Sequence, residues 1–152
     1  LLITLNKIYK LKMKKFSAFL VISFIFISMC NASEKIILED YINSFAWKKR
    51  IVLFISKSKY VYFINETDNF FRENNCENDN RNLLYIRIVG DEIKKYNISE
   101  KFENKYGMWL IGYDGQIKSY SSDISLLKKI YNIIDKMPMR KKEKLEQTSK
   151  CN

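Results

Sequence analysis

The amino-acid sequence predicts an α/β domain of the thioredoxin-like class, with helices flanking a central mixed sheet of about four strands. Two apolar runs, residues 51–55 and 83–89, have the length and β-branched content of buried strands. A segment with helical periodicity lies between them, so the two strands are expected to be parallel and joined by a right-handed crossover. A later Asp114-Gly115 pair is a strong hairpin signal and predicts an antiparallel edge. The predicted order is β-α-β-α-β-β-α.

The first half of the predicted domain alternates helix and strand. Residues 38–44 mix acidic and apolar side chains and predict a short helix ahead of Trp47. After the first strand, apolar side chains recur at the i, i+3, i+4, i+7, i+10 and i+11 positions of one helix face. These side chains are Tyr60, Phe63, Ile64, Thr67, Phe70 and Phe71. The polar residues 74–82 that follow predict a surface loop.

The second half begins at Asn97, where another short helix is predicted. Glu100 lies three residues later, as a capping box requires, and Gly107 suits the C-terminal cap of this helix. The third strand is predicted at residues 108–112 and the fourth at residues 116–120. The hairpin turn between them makes these two strands antiparallel.

The last predicted helix begins at Ser122 or Asp123, since both side chains favour an N-cap. Its apolar face comprises Leu127, Ile130, Tyr131 and Ile134. Pro138 is expected to end it, because proline cannot continue a helix. The basic residues 140–144 then predict a solvated tail, with contact to anionic lipid or cell-wall polymer as the alternative, and residues 144–152 are expected to be flexible.

The front of the chain has the order of a secretory signal peptide, predicted at residues 13–32. A positive start is followed by the uncharged, mostly apolar residues 16–29 and by the small Ala32. The protein is therefore expected to be exported, to the periplasm or out of the cell. Two alternatives are an uncleaved membrane anchor and a lipoprotein cut before Cys30.

This signal peptide divides the chain into segments. Residues 1–12 are expected to be upstream translation, and residues 33–143 one domain with a single modest core. Removal of residues 1–32 takes away five lysines and no acid, so the formal net charge falls from +10 to +5. A mildly basic surface without a groove-reading motif indicates no nucleic-acid partner. An envelope protein or an anionic surface is the expected partner class.

The chain contains no histidine, which excludes Ser-His-Asp, Cys-His and histidine-based zinc chemistry. No metal and no cofactor is expected. Two cysteines follow the signal peptide, Cys76 and Cys151, and their distance in sequence excludes a Cys-x-x-Cys motif. In an oxidising compartment they are candidates for one disulfide. Two free thiols and an intermolecular bridge are the alternatives.

Several strings in the chain resemble a bacterial family known as domain of unknown function 4174. Members of that family end in Ile-Asp-x-Met-Pro-Met-Arg, as residues 134–140 do here. The family's Trp-Lys-x-Arg string is similar to residues 47–50, and its Leu-Ile-Gly-Lys-Asp-Gly string to residues 110–115, with Tyr113 in place of lysine. The resemblance spans about residues 38–143. Further matching positions are Lys118 and the pair Arg81-Asn82.

The resemblance implies an exported domain of thioredoxin-like or peroxiredoxin-like architecture, without established catalytic residues. Redox-active members of that architecture carry a cysteine after the first strand, where the helix N-terminus lowers the thiol pKa. Here that place holds Ser56-Lys57-Ser58-Lys59, and no proline precedes the third strand. Lys57 and Lys59 are either a solvated loop or an anion contact.

Two further constellations carry candidate functions. Trp47 and Arg50 beside a buried strand are either a ligand platform or, more commonly for large aromatics, a cover for one end of the core. Asp135 and Arg140 flank Pro138 and form a candidate ion pair that is expected to be partly buried or bound to a partner, since exposed pairs stabilise little. The complete set of candidate binding or motif residues is Trp47, Arg50, Asp114, Gly115, Lys118, Asp135, Pro138 and Arg140.

The sequence therefore favours a non-catalytic binding or envelope-associated domain. The alternative is a thiol-dependent enzyme of peroxiredoxin-like or disulfide-handling type that uses Cys76 or Cys151. The place after the first strand, which lacks a thiol, favours the first of these functions.

Overall fold

The computed structural model describes residues 34–103, 105–146 and 151. The predicted upstream residues and signal peptide lie outside the described residues. In chain order the described strands and α-helices are β1 (Ile36–Ile37), α1 (Leu38–Asn43), β2 (Arg50–Ser56), α2 (Val61–Glu73), α3 (Asn75–Asn80), β3 (Leu83–Val89), β4 (Tyr96–Asn97), β5 (Gly107–Ile111), β6 (Ile117–Ser121), α4 (Ile130–Asp135) and α5 (Pro138–Glu146). None of the described helices is both long and apolar enough to cross a bilayer.

A mixed sheet of four strands, in the order β3-β2-β5-β6, organises the fold. Strand β2 runs parallel to β3 and antiparallel to β5, and β6 runs antiparallel to β5. This arrangement confirms the predicted mixed α/β class, the parallel first pair and the antiparallel hairpin, and it is consistent with a thioredoxin-like fold. Strands β1 and β4 form a separate two-residue parallel pair, which the sequence analysis missed.

Every residue of β2 is buried, because the strand packs against helices or loops on both faces of the sheet. Ile51, Leu53 and Ile55 face a core that includes α1 and Phe102. Val52 and Phe54 face the opposite core, formed with α2 and α4. Complete burial of one such side chain stabilises the fold by about 1.5–3 kcal/mol, so the continuous apolar run is what places β2 at the centre.

Two predictions for the middle of the chain are wrong. The polar residues 74–82 were expected to be a loop, but they contain helix α3, which is held by side-chain hydrogen bonds from Asn78 to Phe71 and from Tyr131 to Asn78. A helix was expected from Asn97, but that residue ends strand β4. A 3₁₀ helix (Gly90–Lys95) precedes this strand instead.

Asp123 caps a 3₁₀ helix (Ile124–Leu126), accepting a hydrogen bond from the Ser125 backbone N–H at 2.8 Å. Helix α4 then ends before Pro138, but a tail does not follow. Proline begins α5, because its missing N–H is not needed at the first helical position. The assignment of residues 140–144 to a tail is therefore wrong. A disulfide joins Cys76 in α3 to Cys151, with the two Cα atoms 5.8 Å apart.

Candidate functional site

A groove of about 400 Å³ opens where strand β2 begins, and we call it the Trp47 groove. Three segments build it: the loop before β2, the turn between β5 and β6, and the junction between α4 and α5. Its lining residues are Trp47, Arg50, Gly112, Tyr113, Asp114, Lys118, Met137, Pro138 and Met139. The indole and the two methionine side chains make it an apolar surface in an otherwise charged region.

Trp47 is the most unusual residue of the groove. Its side chain is 72 % exposed, and its backbone lies in the left-handed region with φ of 62°. That conformation costs a bulky residue about 1–2 kcal/mol. A hydrogen bond from the Trp47 N–H to the carbonyl of Tyr113, at 2.8 Å, ties the loop to the hairpin turn. Trp47 therefore does not cover the core, and the packing interpretation of this residue is wrong.

The hairpin turn supplies the polar rim of the groove. The Lys118 ammonium lies 2.6 Å from the Asp114 carboxylate, and this hydrogen bond lowers the pKa of Asp114 below its usual value. Asp114 also accepts from the Gln116 N–H. Gly115 completes the turn with φ of +72°, a conformation that glycine adopts at no steric cost. Asp114 and Gly115 are the two residues that predicted the hairpin from the sequence.

Arg50 forms the floor of the groove and is fully buried. Its guanidinium makes a two-pronged pair with Glu143 in α5, at 3.0 and 3.2 Å. It also donates to the carbonyl of Arg81 at 2.7 Å and stacks 4.1 Å from the centre of the Tyr113 ring. The Tyr113 hydroxyl donates to the same Glu143 carboxylate at 2.7 Å. Helix α5 is therefore fastened to the start of β2 through one acidic side chain.

A second set of ion pairs continues from Glu143 beneath the groove. Arg140 is 2 % exposed, donates to the Asn80 carbonyl at 2.6 Å and approaches Asp135 at 3.4 Å. Asp135 also binds Arg81 at 3.0 and 3.1 Å. The predicted ion pair between Asp135 and Arg140 is thus present and partly buried, as the sequence analysis required.

The two carboxylates at the centre of these ion pairs have lowered pKa values. Burial raises the pKa of Glu143, but hydrogen bonds from Tyr113 and Arg50 outweigh this effect. Burial likewise raises the pKa of Asp135, and the hydrogen bonds from Arg81 and Lys144 outweigh it. Burial and then the bond to Glu143 raise the pKa of Tyr113, so this phenol stays protonated and keeps donating. Both carboxylates are therefore ionised at neutral pH, and the Arg50 Nε–H is the one buried donor of the network without a hydrogen-bond partner among the described residues.

The structure brings together five of the eight candidate residues. Trp47, Arg50, Asp114, Lys118 and Pro138 line the groove. The other three are Gly115, Asp135 and Arg140, which shape the hairpin turn or support the groove from beneath.

Sequence reasoning missed Glu143 and Tyr113. Glu143 was part of the segment interpreted as a basic tail, and Tyr113 was treated as a substituted position. The signal that points to Glu143 is its spacing of three residues from Arg140, which places both on one face of a helix.

The place where a redox-active thioredoxin-like protein carries its thiol has different chemistry here. Ser56 is buried and its hydroxyl donates to the Lys57 carbonyl at 3.2 Å. The Lys57 ammonium lies 4.8 Å from the centre of the Tyr106 ring. Both Cys76 and Cys151 are held in their disulfide. In the described part of the chain, no cluster of His, Cys, Asp and Glu has the size needed to hold a metal ion.

A family model described as domain of unknown function (DUF4174) matches residues 41–143. The chain belongs to this family. The matched range includes the whole Trp47 groove and ends at Glu143, the residue that fastens α5 to β2.

No curated protein and no solved structure matches the chain.

Proposed function

We propose that the protein is an exported, non-catalytic binding domain whose Trp47 groove holds an apolar side chain of an envelope protein. The observation that carries this proposal is the exposed indole of Trp47 in a left-handed backbone conformation. Both the strain and the exposure oppose stability, and such features concentrate at ligand-binding sites. A bound apolar group would cover the indole and remove it from water.

The rest of the groove supports a ligand of this chemistry. Met137 and Met139 stand beside the indole, and methionine adapts its shape to different apolar partners. Arg50 beneath them is neutralised by Glu143, so the floor presents no unpaired charge. A hydrophobic surface with a single polar rim pair, Asp114 and Lys118, suits one apolar side chain of a polypeptide.

A peptide-display selection against the purified protein tests this proposal. We expect the enriched peptides to share an aromatic or aliphatic residue and to bind Trp47→Ala at least about 10-fold more weakly, because truncation of a central interface tryptophan costs about 2 kcal/mol or more. Tyr62→Ala is the matched control, since Tyr62 is 68 % exposed and lies outside the groove. Its affinity for the same peptides should equal that of the unmodified protein.

Two results would contradict the proposal. The first is a set of peptides that binds Trp47→Ala and the unmodified protein equally. The second is the failure of any peptide to be enriched, since the groove is open in the isolated chain.

The thiol-dependent alternative predicts a different outcome. Turnover would need a thiolate at Cys76 or Cys151, and both are in the disulfide. In a Cys76→Ser, Cys151→Ser double variant, we expect unchanged peptide affinity. Consumption of peroxide or of a dithiol by the unmodified protein, abolished by alkylation, would instead support the enzyme.

Export is the part of the proposal that rests on residues 13–32. Mass spectrometry of the protein purified from its native host should find Ser33 at the N-terminus. An acylated Cys30 would assign a lipoprotein, and an intact N-terminal segment would contradict cleavage.

A further inference from the structure

A second cavity, of about 340 Å³, lies at the opposite end of strand β2 from the Trp47 groove. We call it the Lys105 pocket. Its accessible apolar lining is supplied by Ile93 and Ile98, which are partly exposed. They pack against the core that contains Ile55, the penultimate residue of β2, and Phe102, each of which is 2 % exposed. The aromatic rings of Tyr96 and Tyr106 stand beside them. The side of the pocket interior that faces the core is therefore apolar, and polar and charged groups line the rest.

Ammonium groups dominate the charge around this interior. Lys35, Lys94 and Lys105 line the pocket, with Glu103 as the one acid among the lining residues. Lys94 is held by Asp91 at 2.6 Å. No carboxylate in the described part of the chain pairs with Lys35 or Lys105, so two cations at the rim are available to an anion.

Two neighbouring groups add to this preference. The Lys57 ammonium lies over the ring of Tyr106, which lines the pocket. Burial, followed by the charges of Tyr41 and Glu92, raises the pKa of Tyr96, so its phenol is protonated at neutral pH and has a proton to donate. An apolar patch beside a cationic rim is complementary to a molecule that joins an apolar body to one negative charge.

We propose that the Lys105 pocket binds a small carboxylic acid with an apolar body, whose carboxylate is held by Lys35 and Lys105. The apolar body packs against the exposed parts of Ile93 and Ile98, which line the pocket above the core. A volume of about 340 Å³ lies near the lower end of the range of small-molecule sites, so the ligand is a short-chain or single-ring acid rather than a lipid with two chains. This inference is independent of the proposed function of the Trp47 groove.

Calorimetric titration of the purified protein with octanoate, octanol and octylammonium separates the contribution of the apolar body from that of the carboxylate. The three probes share an apolar chain and differ only in head-group charge. We expect octanoate to bind at least about 10-fold more tightly than octanol, and octylammonium to bind least tightly. Raised salt should weaken octanoate binding and leave octanol binding unchanged, because only the former depends on the ammonium groups. Cinnamate in place of octanoate tests a ring against a chain.

A charge variant locates the site. Lys35→Gln, Lys105→Gln should lower octanoate affinity to the level of octanol and leave octanol affinity unchanged, a pattern that loss of folding would not produce. Lys141→Gln, Lys142→Gln is the matched control, because it removes two exposed lysines from α5. Trp47→Ala should bind octanoate as the unmodified protein does.

Three results would overturn the proposal. Equal affinity for octanoate and octanol would show that Lys35 and Lys105 do not bind the carboxylate. Loss of octanoate binding in Trp47→Ala with retention in Lys35→Gln, Lys105→Gln would assign the acid to the Trp47 groove. Absence of heat with every probe at millimolar concentration would exclude a site of this chemistry.

Discussion

Glu143 illustrates how a single buried acid can join two distant parts of a chain. It accepts two hydrogen bonds from Arg50 and one from Tyr113, and Arg140 approaches it at 3.4 Å. The side chain of Arg50 is 1 % exposed, so its charge has no access to water. Without Glu143, that charge would be buried and unpaired, which is far more costly than the loss of a surface pair.

We therefore expect Glu143→Ala to lower the free energy of unfolding by about 3–5 kcal/mol, the usual cost of breaking a buried ion pair. Glu143→Gln keeps the shape and part of the hydrogen bonding, and should cost less. Urea denaturation followed by circular dichroism measures both. Lys142→Ala, at the preceding exposed position, is the control and should stay within about 0.5 kcal/mol. A Glu143→Ala variant as stable as this control would contradict the assigned role.

The two tryptophans provide a second test at the level of single residues. Trp47 is 72 % exposed and Trp109 is 2 % exposed, so acrylamide should quench the emission of one and spare the other. Trp47→Phe should remove the quenchable fraction, whereas Trp109→Phe should leave emission that is quenched in full. If all tryptophan emission of the unmodified protein is poorly quenched, Trp47 is covered in solution.

At the level of elements, the sequence predicts what apolar periodicity specifies. Strands β2 and β3 and helix α2 follow from their hydrophobic patterns, and the hairpin follows from Asp114-Gly115. Helices α3 and α5 lack a stripe of apolar side chains. Hydrogen bonds and ion pairs hold these two helices in place instead. Arg140 and Glu143 give α5 a buried face made of charges, which a search for apolar stripes does not find.

The Trp47 groove could be predicted only in part, because one of its walls depends on α5 and therefore on charged contacts. Trp47, Arg50 and the hairpin were identified as motif residues, but their meeting with Met137–Met139 depends on α5. Its orientation is set by the pairing of Arg50 with Glu143 across 93 positions of the chain. A contact of that sequence separation leaves no trace in local spacing.

The disulfide is the element-level feature with the most direct test. It joins residues 75 positions apart, and a cross-link of this length typically stabilises a fold by about 2–4 kcal/mol. We expect Cys76→Ser, Cys151→Ser to lose this amount in urea denaturation. The unmodified protein with a reducing agent should behave as the double variant does. Equal stability of the oxidised and reduced proteins would show that the bond does not restrain the chain in solution.

At the scale of the whole molecule, the two cavities lie at opposite ends of the same central strand. The Trp47 groove uses the loop before β2 and the ion pairs of Arg50. The Lys105 pocket uses the end of β2 and the chain between β3 and β5. The buried run between them separates the two sites with core side chains. Substitutions on the rim of one site should therefore leave the other intact, which is why Trp47→Ala serves as a control for octanoate binding.

The buried carboxylates make the stability of the whole fold depend on pH. Glu143 and Asp135 have pKa values below their ordinary values of 4.5 and 3.8. In acid, the unfolded chain therefore binds more protons at these two carboxylates than the folded chain does. Their contribution is complete above about pH 5 and is lost as the pH falls through the lowered pKa values. The urea midpoint should therefore decline steadily from about pH 5 to about pH 3.

Glu143→Gln tests the source of that decline. The variant keeps Asp135 as the single carboxylate of the network, so its urea midpoint should start lower at neutral pH and fall less steeply in acid. Glu146→Gln removes an acid from the same helix that pairs with the exposed Lys142, and it should keep the slope of the unmodified protein because such pairs stabilise little. Equal slopes for the unmodified protein and Glu143→Gln would mean that carboxylates elsewhere govern the acid transition, and that Arg50 is not held by a charged Glu143.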